Sequence, residues 1–575
     1  MGWLWLPTIK YGFGDILFIG ALNGLFIFLS AWKVEDGDLQ VSKKGNMWLG
    51  ASMACFFLVF GLFVLPIVTS WGLFHSKAYR DLIGDVKQGT FSTDTSPMDI
   101  SQIRIVDQKL AARLADKRLG EDTALGSQVE VGTMNIQQVN GRLFWVGPLN
   151  HIGFFRWWNN PQGTPGYVMV SATDERDVRL MRKINGKDIR LKYNMGNYWN
   201  DDIKRYLYEN GFYNVGLTDF TFEVDDENNP FWVITIFEKK VGYLGDDAVG
   251  VVILNAQSGE IKKYSIDEAP KWVDRIQPES LVTDQLNDWG DFVHGWLNLS
   301  QKDRLEVTPG MSLVYGKDGS SYWYTGMTSI GSDEGTVGFI LVNTRTKETR
   351  FYKQAGATET AAMESAEGAV QEKEYKANFP ILYNVGGYPT YFLTLKDNAG
   401  LVKAMSFISV ENYSVLGIGQ TVREALREYH RTMMSRGNSV VPDSVVSRNS
   451  VIGEILRVGM EPSSGGATFY FLLKDQESKL FVGSAGLSSE ILITQKGDRV
   501  KITFSEGGGQ LVDMVTFDNL EIQLQKKPEQ KTADERIQER QQRDIENQTG
   551  QNAQAKWENM TPAQKDELMR NIDDK

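Results

Sequence analysis

Few residues in this chain could carry chemistry. There are four histidines, His75, His151, His294 and His430, and a single cysteine, Cys55. No two histidines stand at an H-x-x-x-H spacing, and no G-x-S-x-G, Walker A or strand-linked G-x-G-x-x-G motif occurs. A histidine triad or a metal centre would therefore need assembly from distant segments. One cysteine excludes intramolecular disulfides and cysteine-based zinc sites. The carboxylates do cluster, as Asp201-Asp202, Asp225-Asp226-Glu227 and Asp246-Asp247. Paired carboxylates can do acid–base work or hold a hard cation. Adjacent strand residues point to opposite faces, however, so Asp246 and Asp247 would not converge. Asp225–Asn229 precedes Pro230 and reads as a loop without the spacing of an EF-type calcium site. No catalytic residue, metal ligand or cofactor is assigned on these grounds.

Aromatic side chains are the other resource. HIGFFRWWNNPQGTPG, His151–Gly166, sets Phe154, Phe155, Trp157 and Trp158 around Arg156 beside a Pro/Gly-rich loop. Two readings stay open: an exposed contact patch or interfacial anchor, and a core plug. A second group, Phe469, Phe471 and Phe481, is a candidate binding face near the C-terminus.

These residues need elements to position them. The 575 residues imply about three to five domains. Apolar residues are 42%, charged residues 23%, and the net charge is −12. That is a globular composition, and its acidity argues against a general nucleic-acid binder. The apolar residues crowd into the first 74 positions. Ile16–Trp32 is a run of 17 residues without a charge, and Met47–Phe74 is a run of 28. A bilayer crossing takes about 20 apolar residues. The expectation is a two-helix transmembrane hairpin, with spans at about 14–32 and 47–74 flanked by tryptophans. Residues 75–135 then read as a polar stalk with a charged helix. Lysines and arginines divide almost evenly about the spans. The preferred topology exports the large C-terminal part, and the opposite one stays open.

One pattern repeats between residues 136 and 435. Phe144-Trp145-Val146, Phe231-Trp232-Val233 and Tyr322-Trp323-Tyr324 are each followed by an apolar strand opening at Gly166, Gly250 and Gly338. Thr390-Tyr391-Phe392 begins a weaker fourth copy. Helix-patterned stretches at 198–210, 358–376 and 420–433 alternate with these hairpins, which predicts an α+β architecture. The second copy, ending Asn255-Ala256-Gln257-Ser258-Gly259-Glu260, resembles a PepSY-type module, a helix with a small antiparallel sheet. The third copy keeps Asn343 and Glu348 but has Lys347 for the glycine, and the first has Asp174. The resemblance implies small membrane-tethered or extracytoplasmic modules that bind or restrain other proteins, including secreted peptidases. It implies no catalytic residue.

After a linker at 436–450, residues 451–523 hold five strand-like runs with a short helical segment after the third. This resembles an OB-fold barrel. Such barrels often bind oligonucleotides on aromatics. Six basic residues against ten acidic ones give this region a net charge of −4 and remove the electrostatic attraction. Residues 524–575 form a polar tail, read as disordered or a solvated helix. The leading expectation is a membrane-anchored, non-enzymatic scaffold or binding protein. Its partners would be the lipid bilayer and other proteins, with self-association open. Two rivals stand beside it: an enzyme acting on a peptide or carbohydrate at module interfaces, and a membrane-tethered nucleic-acid binder.

Overall fold

The computed structural model describes residues 6–522, apart from stretches at 11–12, 31, 36–37, 42–44, 96–97, 317–318, 330–334, 436–447, 464–465, 475, 486 and 506–510. The tail, and most of the expected linker, lie outside the described residues.

Four sheets are built from the repeated hairpins. Arg142–His151 pairs antiparallel with Tyr167–Ser171 in the first, and Pro230–Val241 with Leu244–Asn255 in the second. Ser321–Ser329 pairs with Gly338–Asn343 in the third, and Tyr388–Lys396 with Val402–Ser409 in the fourth. Strand alternation then sends neighbouring side chains into different cores. Leu143 and Trp145 enter one core while Phe144 and Val146 enter another. Trp323 faces the core of Trp145, and Tyr324 faces the core of Tyr391. Phe392 turns away into a further core with Tyr429. The sheets are therefore stacked second, first, third, fourth, and each buries both faces.

A shared hydrogen bond pins each unit. The indole Nε1 of Trp145 donates to Val106 O at 2.8 Å, that of Trp232 to Tyr193 O at 3.1 Å, and that of Trp323 to Gln277 O at 2.8 Å. In the fourth unit Tyr391 Oη donates to Ala357 O at 3.2 Å. Val106, Gln277 and Ala357 stand two residues before the helices Gln108–Gly120, Glu279–Asp291 and Glu359–Ala369, and Tyr193 stands ten residues before Ile203–Glu209. A buried donor and a buried carbonyl satisfy each other where the chain leaves extended backbone. The turns repeat as well. Asn255 Oδ1 accepts from the amides of Gln257 and Ser258, and Asn343 Oδ1 from those of Arg345 and Thr346. Gly259 has φ +78° and Lys347, its counterpart, φ +61°. A lysine there is strained. It is held by bonds from its Nζ to Leu82 O and Asp247 Oδ1.

The expected stalk is instead woven into the body. Val86–Gln88 adds a parallel edge to the third sheet at Thr349–Phe351. Asn384 Nδ2 of the fourth unit bonds Thr95 O, and the amides of Ile105 and Val106 bond Ala172 O in the first. Gln108–Gly120 buries Leu110, Ala111 and Ala115 in the core shared by the first and third sheets.

The two-span hairpin needs correction. Among the described residues one helix, Gly50–Thr69, is long and apolar enough to cross a membrane. The helix Gly14–Ser30 has 17 residues and carries Asp15 in its first turn, where Thr8 N donates to the carboxylate. The fold is a strand-rich α+β body with one candidate apolar helix.

That helix is joined to the body. Pro66 supplies no amide for the carbonyl four residues earlier, and its ring crowds that carbonyl. The helix widens into a π-turn at Phe60–Val64. The carbonyl of Leu62 accepts a 2.7 Å bond from Tyr243 Oη at the tip of the long second-sheet hairpin. Tyr243 N donates to Ser70 Oγ at 3.0 Å. Gly242, φ +59°, lies so close that a Cβ would fall 2.0 Å from Ser70 Oγ. Tyr243→Phe is expected to weaken this join by about 0.5–1.5 kcal/mol, the net worth of one hydrogen bond. Amide exchange over residues 60–70 should then rise, with the sheets unchanged.

The C-terminal strands Arg448–Ser463, Gly466–Leu473, Leu480–Ser484, Leu511–Asn519 and Arg499–Ser505 close, in that order, into a barrel. Phe469, Phe471 and Phe481 fill its interior with Ile455 and Val500. They are therefore not an exposed binding face: a small barrel has no other way to fill its centre.

Candidate functional site

The aromatic run at 154–158 forms a short helix that opens at Gly153, φ +79°. One helical turn cannot bury four large rings on one side. Trp157 turns inward and Phe154 is half-buried, while Phe155 is 76% exposed and Trp158 59% exposed. Tyr198 and Trp199, both partly exposed, come up against them from a second segment. The Phe154 ring centre lies 5.1 Å from that of Tyr198 and 5.4 Å from that of Trp199, and Trp158 lies 5.8 Å from Trp199. Such spacings suit edge and tilted contacts between rings.

A polar frame holds the rings. Trp157 Nε1 donates to Asp201 Oδ2 at 3.1 Å. Asp202 caps the following helix by accepting from Arg205 N at 3.0 Å. Trp199 has φ +50°, a conformation that costs a bulky side chain about 1–3 kcal/mol. His151 Nδ1 lies 3.2 Å from Asn197 Oδ1, and Asn197 Nδ2 donates to Lys192 O at 2.9 Å. Burial lowers the His151 pKa and raises that of Asp201. The guanidinium of Arg156 donates to Ser127 O and Ile152 O, closing the local loops rather than reaching outward.

All five residues of the expected patch are thus in one place, four of them as rings and Arg156 as a brace. Tyr198 and Trp199 complete it. Their signal in the sequence was an aromatic pair just before Asp201-Asp202, in a stretch read as helix. The arrangement offers stacking and apolar contact.

The other carboxylates serve the fold. Asp225 accepts from the amides of Glu227 and Asn229, shaping the loop. Asp246 pairs with Lys239 and Asp247 with Lys347. His294 Nε2 and Asp303 Oδ2 lie 2.8 Å apart on an exposed loop. No group of three or more potential metal ligands occurs among the described residues.

One buried polar cluster joins three sheets. The loop at 266–277 runs between the second and third units. Asp274 Oδ2 accepts from Gln138 N at 2.7 Å and from Tyr315 Oη at 3.3 Å. Its main-chain oxygen accepts from Ser321 and Thr344. Arg345 donates to the carbonyls of Ala269, Pro270 and Val273. Glu223 accepts from Thr221 Oγ1 at 3.0 Å through Oε1, and its Oε2 has no partner. Burial, with the Asp274 charge adding, pushes Glu223 up to about 8; burial also pushes Asp274 up to about 7.

No family model matches the chain, and no curated protein matches it. Among solved structures, the Bacillus megaterium YpeB C-terminal domain is similar at 10% identity and TM-score 0.10, covering 44% of this chain and 99% of that one. An endo-arabinase from Bacteroides thetaiotaomicron is similar at 9% identity and TM-score 0.16, covering 50% of this chain and 74% of that one. A Bacillus subtilis levansucrase is similar at 10% identity and TM-score 0.18, covering 73% and 97%. Likeness at this level assigns no function.

Proposed function

We propose that this chain is a membrane-anchored, non-enzymatic binding protein that receives a partner protein on the surface of Phe155, Trp158, Tyr198 and Trp199. The observation carrying the reading is that exposed cluster of rings, braced by a polar frame and a strained backbone. Rigid aromatics supply large contact area at little entropic cost and are frequent binding hot spots. The position supports the reading too. The hairpin tip at Val241–Tyr243 touches the apolar helix, while the opposite end of the same hairpin, at Ala256, bonds Tyr193 N. Tyr193 is followed by Asn194, whose amide bonds Asp201 O beneath the rings. The 12 residues of Pro230–Val241 span roughly 40 Å at about 3.3 Å each. The segment carrying the rings thus joins the hairpin at the end away from its contact with the helix, which favours a protein partner over lipid. A leader destined for removal would take with it the partners of Gly242 and Tyr243, so their docking favours a retained anchor. The barrel, acidic and with its phenylalanines inside, favours a structural role over nucleic-acid binding.

A photo-crosslinking residue at Phe155, in the full chain in native membranes, tests this. One discrete adduct is expected there and none at exposed Tyr413. The pair Phe155→Ser and Trp158→Ser should abolish binding of the recovered partner, with a loss of about 2 kcal/mol or more per ring. Thermal stability should be unchanged, since both side chains are exposed. No adduct at Phe155, or unaltered binding by the double variant, would reject the surface.

A further inference from the structure

The loop that follows the helix Glu279–Asp291 is unusual for a surface loop. Leu297 is 74% exposed and Leu299 88%, with Trp296 beside them half-exposed. One exposed leucine is ordinary, but a contiguous apolar patch marks a contact. This patch abuts the end of the apolar helix. The Phe292 ring packs on the turn at Gly72, where a Cβ would fall 2.5 Å from its Cζ, and lies 6.1 Å from the Tyr79 ring. Gly72, Phe292, Gly295, Trp296 and Asn298 share the wall of one cavity of about 310 Å³. On the helix side, Trp71, Leu73 and Phe74 are exposed as well.

We infer that the loop at 292–304 is a second membrane-contacting element, dipping Trp296, Leu297 and Leu299 into the headgroup region beside the anchor. The inference rests on the membrane-anchored reading and adds which face of the body meets the lipid. Two observations favour a bilayer as the occupant. Trp296 and Phe292 share a cavity wall with Gly72, just past the end of the apolar helix Gly50–Thr69, and tryptophan beside leucine is the composition of an interfacial element. The loop also satisfies much of its own backbone. Asn298 Oδ1 accepts from Lys302 N and Ser300 Oγ, and its Nδ2 donates to Lys302 O. Self-satisfied polar groups lower the cost of leaving water.

The test uses the full chain in phosphatidylethanolamine–phosphatidylglycerol vesicles. A spin label is placed in turn on native Cys55, and on Leu297→Cys or Leu299→Cys in a Cys55→Ser background. Phe155→Cys serves as the aqueous reference. Both loop labels are expected to show a severalfold loss of accessibility to an aqueous paramagnetic ion, and a gain towards oxygen, relative to the reference. Aqueous exposure of both loop labels with Cys55 shielded overturns the loop proposal and leaves the anchor standing. Aqueous exposure of Cys55 removes the anchor, and the loop proposal with it. Shielding of the loop labels only after a membrane extract is added overturns the lipid assignment in favour of a protein occupant.

Discussion

Replacing Glu223 with glutamine is expected to stabilise the protein near pH 8 and to change little near pH 4. In the folded chain this carboxyl is buried, has one unpartnered oxygen and titrates at about 8, burial being the main cause and Asp274 the second. In the unfolded chain it titrates at about 4.3. The folded state therefore holds a proton that the unfolded state releases. Glu223 costs nothing below about pH 4, where both states are protonated. Stability falls as pH rises through the window between the two values, and the loss is complete above about pH 8. At about 1.4 kcal/mol per unit the full loss has an upper bound of roughly 5 kcal/mol. Glutamine keeps an oxygen for Thr221 and has no proton to lose. Denaturant titrations of both proteins across this window should diverge steadily towards high pH, by about 2–5 kcal/mol at the end. Parallel pH profiles would show that Glu223 is ionised and solvated in the folded protein. Asp274, raised to about 7, leaves a smaller residual slope in the variant.

Trp323→Ala should be the most damaging single change in the third unit. The ring is buried between the first and third sheets, and its loss leaves a cavity worth about 3–5 kcal/mol. It also strips the donor from Gln277 O, a further roughly 1–3 kcal/mol. Trp323→Phe separates the two effects, because it keeps most of the ring. That variant should lose chiefly the hydrogen bond and should fray the start of Glu279–Asp291, read as faster amide exchange there. Trp296→Ala is the matched control, expected to leave stability in detergent unchanged because its ring is half-exposed. Equal stability losses at positions 323 and 296 would contradict the assigned core.

Parts of this were legible from residue patterns, for a physical reason. Alternation in Phe144-Trp145-Val146 or Tyr322-Trp323-Tyr324 is a local property, and it placed those residues on strands. Alternation could not say which core each face meets, because that depends on sheets far apart in the chain. Glu279–Asp291 escaped because its sequence, ESLVTDQLNDWGD, mixes weak helix formers and gains its place from Leu281, Val282 and Leu286 packing. Gln108–Gly120 was legible as a charged helix with Leu110 and Leu114 at helical spacing, but nothing local says which sheet awaits Leu110 and Ala115. The first apolar run counted as a span by composition, and Asp15 with a 17-residue helix undid it. Of the aromatic surface, the 154–158 half was legible as a dense run. Tyr198 and Trp199 join it only through a left-handed turn and the Trp157–Asp201 bond.

The stacking of the sheets has a consequence for how the molecule melts. Because the first, third and fourth sheets each lend opposite faces to different cores, no unit can lose its packing without exposing its neighbour's. The repeats look separable along the chain, yet in space their fates are tied. They resemble the leaves of a bound book more than beads on a string: a single cooperative block through which a disturbance at one cover is felt at the other.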